Sequence, residues 1–246
     1  DSLYGAYLKS HYPLAFYETY LKIQEEKGDK DKMAAAREEA ENYFGIRFPP
    51  YRYGQDNRTI TLSEETHSIT NSLSAIKGFG RQPAQVLLAA AQHSYTHFVD
   101  LLRELDQNGL KGCKVEPLIR IDYFESFGNA AELLAILELF SFLQCGEAKQ
   151  IRREKADAHP ILAPLIAAYA KDRTKSGSPS AFYRITDMEG LLRRCEDEIK
   201  TRGMPDFTLA EKISSQMEIL GAISLITGRE EDRRKLIVLS VSPLKN

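Results

Sequence analysis

The chain has 246 residues, 43% of them hydrophobic and 28% charged, with a formal net charge of −2 at pH 7. That size and apolar content suffice for one large or two small domains with a real core. No run of about 18 apolar residues is present to serve as a membrane span or signal sequence, so the composition predicts a soluble globular chain. The near-zero charge balance excludes a wholly basic nucleic-acid binder, and any such role must rest on local patches.

In chain order, Leu3, Tyr4, Tyr7 and Leu8 and then HYPLAFYETYLKI (11–23) place apolar residues at helical spacing, which predicts two short helices with Pro13 in the first turn of the second. KGDKDKMAAAREEAENYFGI follows with Asp29 or Asp31 as an N-cap, an Ala- and Glu-rich helix, and Gly45 as its stop. IRFPPYRYGQDNRTITL is punctuated by diproline, Gly and Asn and predicts a small strand or hairpin. Residues 66–92 contain SAIKGFGRQPAQVLLAAAQ (72–90), a Gly-x-Gly turn between two apolar stretches with helical spacing. Residues 98–124 repeat that grammar weakly: an amphipathic helix, a turn with Gly109 and Gly112, then another helix. GNAAELLAILELFSFLQ predicts a helix with Leu133, Leu134, Leu137 and Phe140 on one side, and a further helix is expected after Pro160. KDRTKSGSPS reads as a loop, AFYRITD as a short strand, and two amphipathic helices are expected at about 188–202 and 208–221. The expected architecture is mostly α with a few short strands.

The chain opens on Asp1 and stops in the strand-like RKLIVLSVSPLKN, with little after it to pair with, and so reads as an excised piece. Cys113, Cys145 and Cys195 are odd in number and far apart, which fits reduced core thiols in a cytoplasmic protein better than disulfides or a metal site.

The Gly-x-Gly turn carries the chemistry. If the second helix begins at Gly80 or Arg81, the free amides of residues 80–82 point out of the turn with the positive end of the helix dipole, and Lys77 and Arg81 flank them. That is a phosphate site, in which glycines let the backbone approach closely and Phe79 plugs the core between them. The competing reading is an ordinary helical hairpin with no ligand. The second copy, NGLKGCK, offers Leu110 as the plug and Lys111 and Lys114 as cations, with its glycines one residue further apart. Two copies in tandem can grip both strands across a minor groove. Such motifs read the DNA backbone through main-chain amides and flanking cations.

Other patterns are weaker. Asp29-Lys30-Asp31 has the D-x-D spacing that can hold Mg²⁺, but beside Gly28 and before an Ala-rich helix it reads as a capping segment. His93 and His97, four apart, can share a helix face, yet Ser94 stands where H-E-x-x-H needs Glu and no third ligand is evident. GREEDRRK (228–235) reads as a solvated loop, and no Ser/His/Asp or Cys/His grouping is suggested locally.

On YGAYLKSHYPLAFYETYL, GDKDKM, FGIRFPP, LSAIKGFG, VEPLIRIDYFESFGNAAELL and the end ILGAISLITGREEDRRKLIVLSVSPLKN, taken in that order, the chain resembles nearly end to end the α subunit of bacterial DNA polymerase III, the replicative polymerase, in its Gram-positive-type branch. The resemblance implies three regions: 1–65, the later part of the fingers; 66–140, tandem helix-hairpin-helix motifs that bind duplex DNA; and 141–246, a helical connection toward an absent OB-fold for single-stranded template. The family's catalytic palm, whose three carboxylates hold two Mg²⁺ ions, and its PHP domain would lie upstream. The piece would therefore bind DNA without polymerising, with no cofactor of its own. Carried over residue by residue, the DNA contacts fall on Lys77, Gly78, Gly80, Arg81 and Gln82, and on Lys111, Gly112 and Lys114. The implied partners are duplex DNA and the remainder of the polymerase, in the bacterial cytoplasm at the nucleoid, with no membrane. A sliding clamp is a partner of the parent, but LFSFLQ has the wrong order and QIRREK lacks the aromatics of the family's clamp-binding peptide.

Two rivals stand beside this reading. KGFGRQPAQVLL also resembles the hairpin of helix-hairpin-helix DNA glycosylases, with Asp100 about where a catalytic carboxylate would follow. Gln82, however, occupies the position of the nucleophilic Lys, no Cys cluster for an iron–sulfur site follows, and the sequence before the hairpin is Pro-rich instead of helical. The second rival is a protein-interaction scaffold in which the hairpins only shape a helical core.

Overall fold

The computed structural model describes residues 3–76, 79–144, 150–172 and 180–220. These fall into two compact units, one holding residues up to Pro50 and Ile60–Asn71, the other Tyr51–Thr59 and Ser72–Leu220. The fold is mainly α, with eleven α-helices and five short strands among the described residues. None of these helices is long and apolar enough to cross a membrane.

In the first unit, α1 (Leu3–His11), α2 (Pro13–Lys27) and α3 (Lys30–Phe44) form as their sequence signals require. Pro13 opens α2 where its missing N–H costs nothing, and Gly28 ends it at φ +69. Asp29 caps α3 by accepting the Lys32 amide at 3.1 Å and also pairs with the Lys32 ammonium at 2.7 Å; its carboxylate works as a helix cap. Tyr17 and Leu21 of α2 bury against Met33, Ala36 and Ala40 of α3, spaced three and four apart so that they share one face. The small strand or hairpin expected in residues 46–62 begins only at the end of that stretch, where β1 (Thr61–Ser63) pairs antiparallel with β2 (Ser68–Thr70).

The second unit is organised around α7 (Ala130–Gln144), against which α5 (Phe98–Gln107), α6 (Gly112–Arg120) and α10 (Met188–Arg202) pack. Leu133, Ile136, Leu137, Leu139, Phe140 and Leu143 are all buried, so α7 is covered on more than the single side that its sequence suggested. Phe98, Phe124 and Phe127 cluster with Tyr53, their ring centroids 5.3–5.6 Å apart. The unit also contains α4 (Arg81–Ala90), α8 (Arg153–Ala158), α9 (Ile166–Tyr169) and α11 (Leu209–Leu220). A three-stranded antiparallel sheet is ordered β3 (Gln150–Arg152), β5 (Phe182–Ile185), β4 (Ala170–Asp172).

Two expectations change. The helix anticipated just before the Gly-x-Gly turn is replaced by β2 and a 3₁₀ turn, Leu73–Ala75, because Ser72 folds its hydroxyl back onto the Ser74 amide at 3.1 Å and offers the backbone an alternative to helix. The helix expected after Pro160 is present only as the short α9: α8 precedes Pro160 and ends at Ala158, and His159 then accepts the amides of Ile161 and Leu162, each at 3.3 Å, and turns the chain before α9 begins at Ile166. The terminal strand-like run, the 228–235 charge run, Cys145 and most of KDRTKSGSPS lie outside the described residues.

Candidate nucleic-acid interface

The first hairpin turn is built on buried anchors. Ile76 and Phe79 are 2% and 6% exposed, and the Phe79 amide donates to the Ile76 carbonyl at 3.0 Å. Lys77 and Gly78, between them, lie outside the described residues. The Tyr51 hydroxyl donates to the Ser72 carbonyl at 3.1 Å and the Leu73 amide to Asn57 at 2.9 Å, so the base of the turn is held by the 51–59 segment.

Beyond Phe79 the chain enters α4 through Gly80, with Ala84 and Leu87 facing the core and Gly80, Arg81 and Gln82 exposed. No side chain caps α4, and the amides of Gly80, Arg81 and Gln82 donate to nothing among the described residues. Pro83, third in the helix, has no N–H to offer, so the open donors are confined to those three residues. Gly80 has φ −116, a backbone that any residue adopts, and an added Cβ would meet nothing within 4 Å. The protein itself therefore does not need glycine here. Arg81 and Gln82 continue into a groove of about 580 Å³ along α4, lined also by Gln85, His93, Glu104 and Asn108.

The second hairpin has the same outline with a different use of its parts. Leu110 is 4% exposed and its amide returns to Leu105 at 2.8 Å, which confirms it as the plug; Gly109 sits at φ +83, the left-handed value that favours glycine. The amides of Lys111, Gly112 and Cys113 at the start of α6 also donate to nothing among the described residues. A Cβ on Gly112 would touch Ser141 Oγ at 3.4 Å and Leu137 Cδ1 at 3.5 Å, so this glycine serves the approach of α6 to α7. The Lys111 ammonium is 2.9 Å from the Asp106 carboxylate, which competes with any outside anion.

Lys114 belongs to the other hairpin as much as to its own. Its ammonium lies over the Phe79 ring, 5.5 Å from the centroid, and so adds a cation beside the first turn. Sequence spacing could not reveal this, because the two residues meet only through the packing of the two hairpins.

The start of α5 shows what an occupied helix N-terminus looks like in this fold. Glu196 of α10 is fully buried; its carboxylate accepts the amides of Phe98 at 2.8 Å and Val99 at 2.9 Å, and Lys200 pairs with it at 2.7 Å. An internal anion thus fills one helix start, while those of α4 and α6 have none among the described residues. Asp100, the carboxylate of the glycosylase rival, is held by Arg193 Nε at 3.0 and 3.1 Å.

The histidine pair and the cysteines differ from expectation. Residues 91–97 are not helical, so His93 and His97 share no helix face: His93 lies 3.1 Å from Glu104, and His97 sits at the N-cap of α5 with Nε2 3.3 Å from Asp197. Cys195 is a buried core thiol, pushed up to about 12 by burial and then by Glu198, whereas Cys113 is exposed beside Gly112.

Residues 54–133 match the helix-hairpin-helix motif family, a span that contains both turns. The chain is also 31% identical over 137 residues to the DNA polymerase III α subunit of Thermus aquaticus, which covers 54% of this chain and 11% of that protein. It spans about a tenth of the length of the relative that it matches. With two plugged hairpin turns, a helix-hairpin-helix family match that spans both and this identity, the chain is similar over about half its length to the α subunit of bacterial DNA polymerase III.

Proposed function

We propose that this chain binds the phosphate backbone of duplex DNA, without catalysing nucleotide addition itself, as a part of a bacterial replicative polymerase. The observation that carries the reading is the start of α4: three exposed residues, Gly80, Arg81 and Gln82, whose amides have no acceptor among the described residues, with the Arg81 guanidinium beside them and the Lys114 ammonium over the neighbouring Phe79. A phosphate oxygen placed there meets main-chain donors, the positive end of a ten-residue helix and the Arg81 guanidinium. Gly80, with open space where a side chain would be, lets the phosphate approach the backbone. The first hairpin is the principal grip; the second, with Lys111 paired to Asp106, is the weaker one.

Fluorescence anisotropy with a labelled blunt duplex tests this. Two to four phosphate contacts at roughly 0.9 each predict a plot of log K against log[salt] with a slope of about −2 to −4. Lys77→Glu with Arg81→Glu should abolish binding while helicity is unchanged, and Lys111→Ala should change it little. Retained affinity in the double variant, or binding independent of salt, refutes the proposal for the first hairpin. Primer extension by the 246-residue chain with Mg²⁺ would refute its non-catalytic part.

A further inference from the structure

The three-stranded sheet has one face in the core and one in water. Ile151, Ala170 and Tyr183 pack against the core with buried Ile185. The register sets Gln150, Arg184 and Lys171 side by side across the three strands, and Arg152 opposite Phe182 in the adjoining row. Side chains alternate along each strand, and directly paired residues share a face. All five of these residues are exposed, Phe182 at 43%. This face therefore presents three cations and an aromatic ring, with no carboxylate in either row.

None of Arg152, Lys171 and Arg184 has an ion-pair partner among the described residues. Glu154 and Asp157 line the cleft of about 560 Å³ beside Arg152 and Phe182. Asp157, however, is engaged by the Tyr183 hydroxyl at 3.0 Å, and that hydroxyl in turn accepts from Arg153 at 2.7 Å. The Arg153 guanidinium also lies over the Tyr183 ring, 4.1 Å from the centroid, and donates through Nε to the Ser180 carbonyl at 3.0 Å. These contacts fix the start of β5, and the side chains of its outward residues, Phe182 and Arg184, have no hydrogen-bond or ion-pair partner among the described residues.

We propose that this sheet face is a binding platform for single-stranded DNA, with Phe182 stacking on a base and Arg152, Lys171 and Arg184 contacting phosphates. The backbones of neighbouring strands lie about 4.8 Å apart and alternate residues of one strand about 7 Å apart; Lys171 and Arg184 are directly paired and Arg152 lies one row along, opposite Phe182, so an extended anionic chain crossing the strands meets them in succession. The exposed aromatic ring selects the occupant. A flat ring stacks on a base only when that base shows its face, which a duplex hides and a single strand does not. An anionic protein segment would satisfy the cations but would leave Phe182 without a role. The surface is separate from both hairpins, and only the choice of DNA over RNA rests on the function proposed above.

The experiment is anisotropy of the 246-residue chain with a labelled oligothymidylate, a blunt duplex and an oligouridylate in parallel. Phe182→Ala should weaken oligothymidylate binding about 5- to 100-fold while the duplex affinity is unchanged, and Phe182→Trp should restore it. Arg152→Ser with Lys171→Ser and Arg184→Ser should flatten the single-strand salt slope by up to about 2. Arg81→Glu should weaken only the duplex arm, so failure of the sheet proposal and failure of the hairpin proposal are told apart. No oligothymidylate binding at low salt, full affinity in Phe182→Ala, or equal losses of duplex and single strand in the triple variant would overturn the platform. Tighter binding of oligouridylate would overturn its assignment to DNA. The substituted residues are exposed, and an unchanged far-ultraviolet spectrum verifies the fold of each variant.

Discussion

Replacing Glu196 by Ala should cost about 3–5 kcal/mol of stability, the range for removing one partner of a buried charged network. The carboxylate has no exposed surface and accepts three donors: the amides of Phe98 and Val99 and the ammonium of Lys200. Each bond to a charged group contributes about 1.5–3 kcal/mol, and the two amides, left behind in a core of Phe98, Val99 and Leu192, have no water to turn to. The Lys200 side chain is 33% exposed and can rehydrate, so its share is discounted and the total stays below the simple sum. Glu196→Gln keeps one carbonyl oxygen for one amide but turns an NH₂ toward another donor, and should lose roughly 2–3 kcal/mol. Urea unfolding followed by far-ultraviolet circular dichroism measures both, since the chain has no tryptophan to report by fluorescence. Faster hydrogen exchange at Phe98 and Val99 is the local signature. A loss under about 1 kcal/mol for Glu196→Ala would refute the view that this carboxylate closes the start of α5.

Burial holds the Tyr53 and Tyr123 phenols above their usual range, burial and then Glu104 do the same for Tyr95, and the Cys195 thiol is pushed from its ordinary 9.0 to about 12. These groups keep their protons in the folded chain when the unfolded chain has lost them, so their contribution is complete below about pH 9 and declines as pH rises through the folded values. Melting temperature against pH should fall above pH 9 to 10, with tyrosinate absorbance rising together with the loss of helicity; a flat profile to pH 12 would contradict the burial of these rings. In a Cys145→Ser background a thiol reagent should modify Cys113 at once and Cys195 only on unfolding, and saturating duplex should slow the reaction at Cys113 if the start of α6 is a contact. Gly80→Ala should leave stability within about 1 kcal/mol yet weaken duplex binding, whereas Gly112→Ile should cost about 1–3 kcal/mol by crowding Leu137 and Ser141, as thermal melts would record.

Local signals carried most of the fold. Pro13, Asp29, Gly28 and Gly45 punctuate the first three helices where capping chemistry requires, and Phe79 and Leu110 are the plugs that their place between glycines suggested. The 3₁₀ turn before the first hairpin was harder to see, because a serine hydroxyl competing for a backbone amide leaves no trace in apolar spacing. The partners of the candidate site depend on contacts remote in sequence: Lys114 over Phe79, Glu196 on α5, and Gly112 against α7. The exposed row of the sheet was hidden for a related reason, since Lys171 and Arg184 become neighbours only through strand pairing.

Under the proposed function, the contrast between Gly80 and Gly112 would separate how tightly the two turns hold a ligand from how firmly the molecule is built. At residue 80 the backbone borders empty space, so the strength of the grip can be varied there without disturbing anything inside. At residue 112 the same type of residue is wedged against a central helix, and any alteration of contact with a ligand is also an alteration of the interior. Tuning of affinity through the main chain would therefore be concentrated in one turn, and the other is tied to the scaffold.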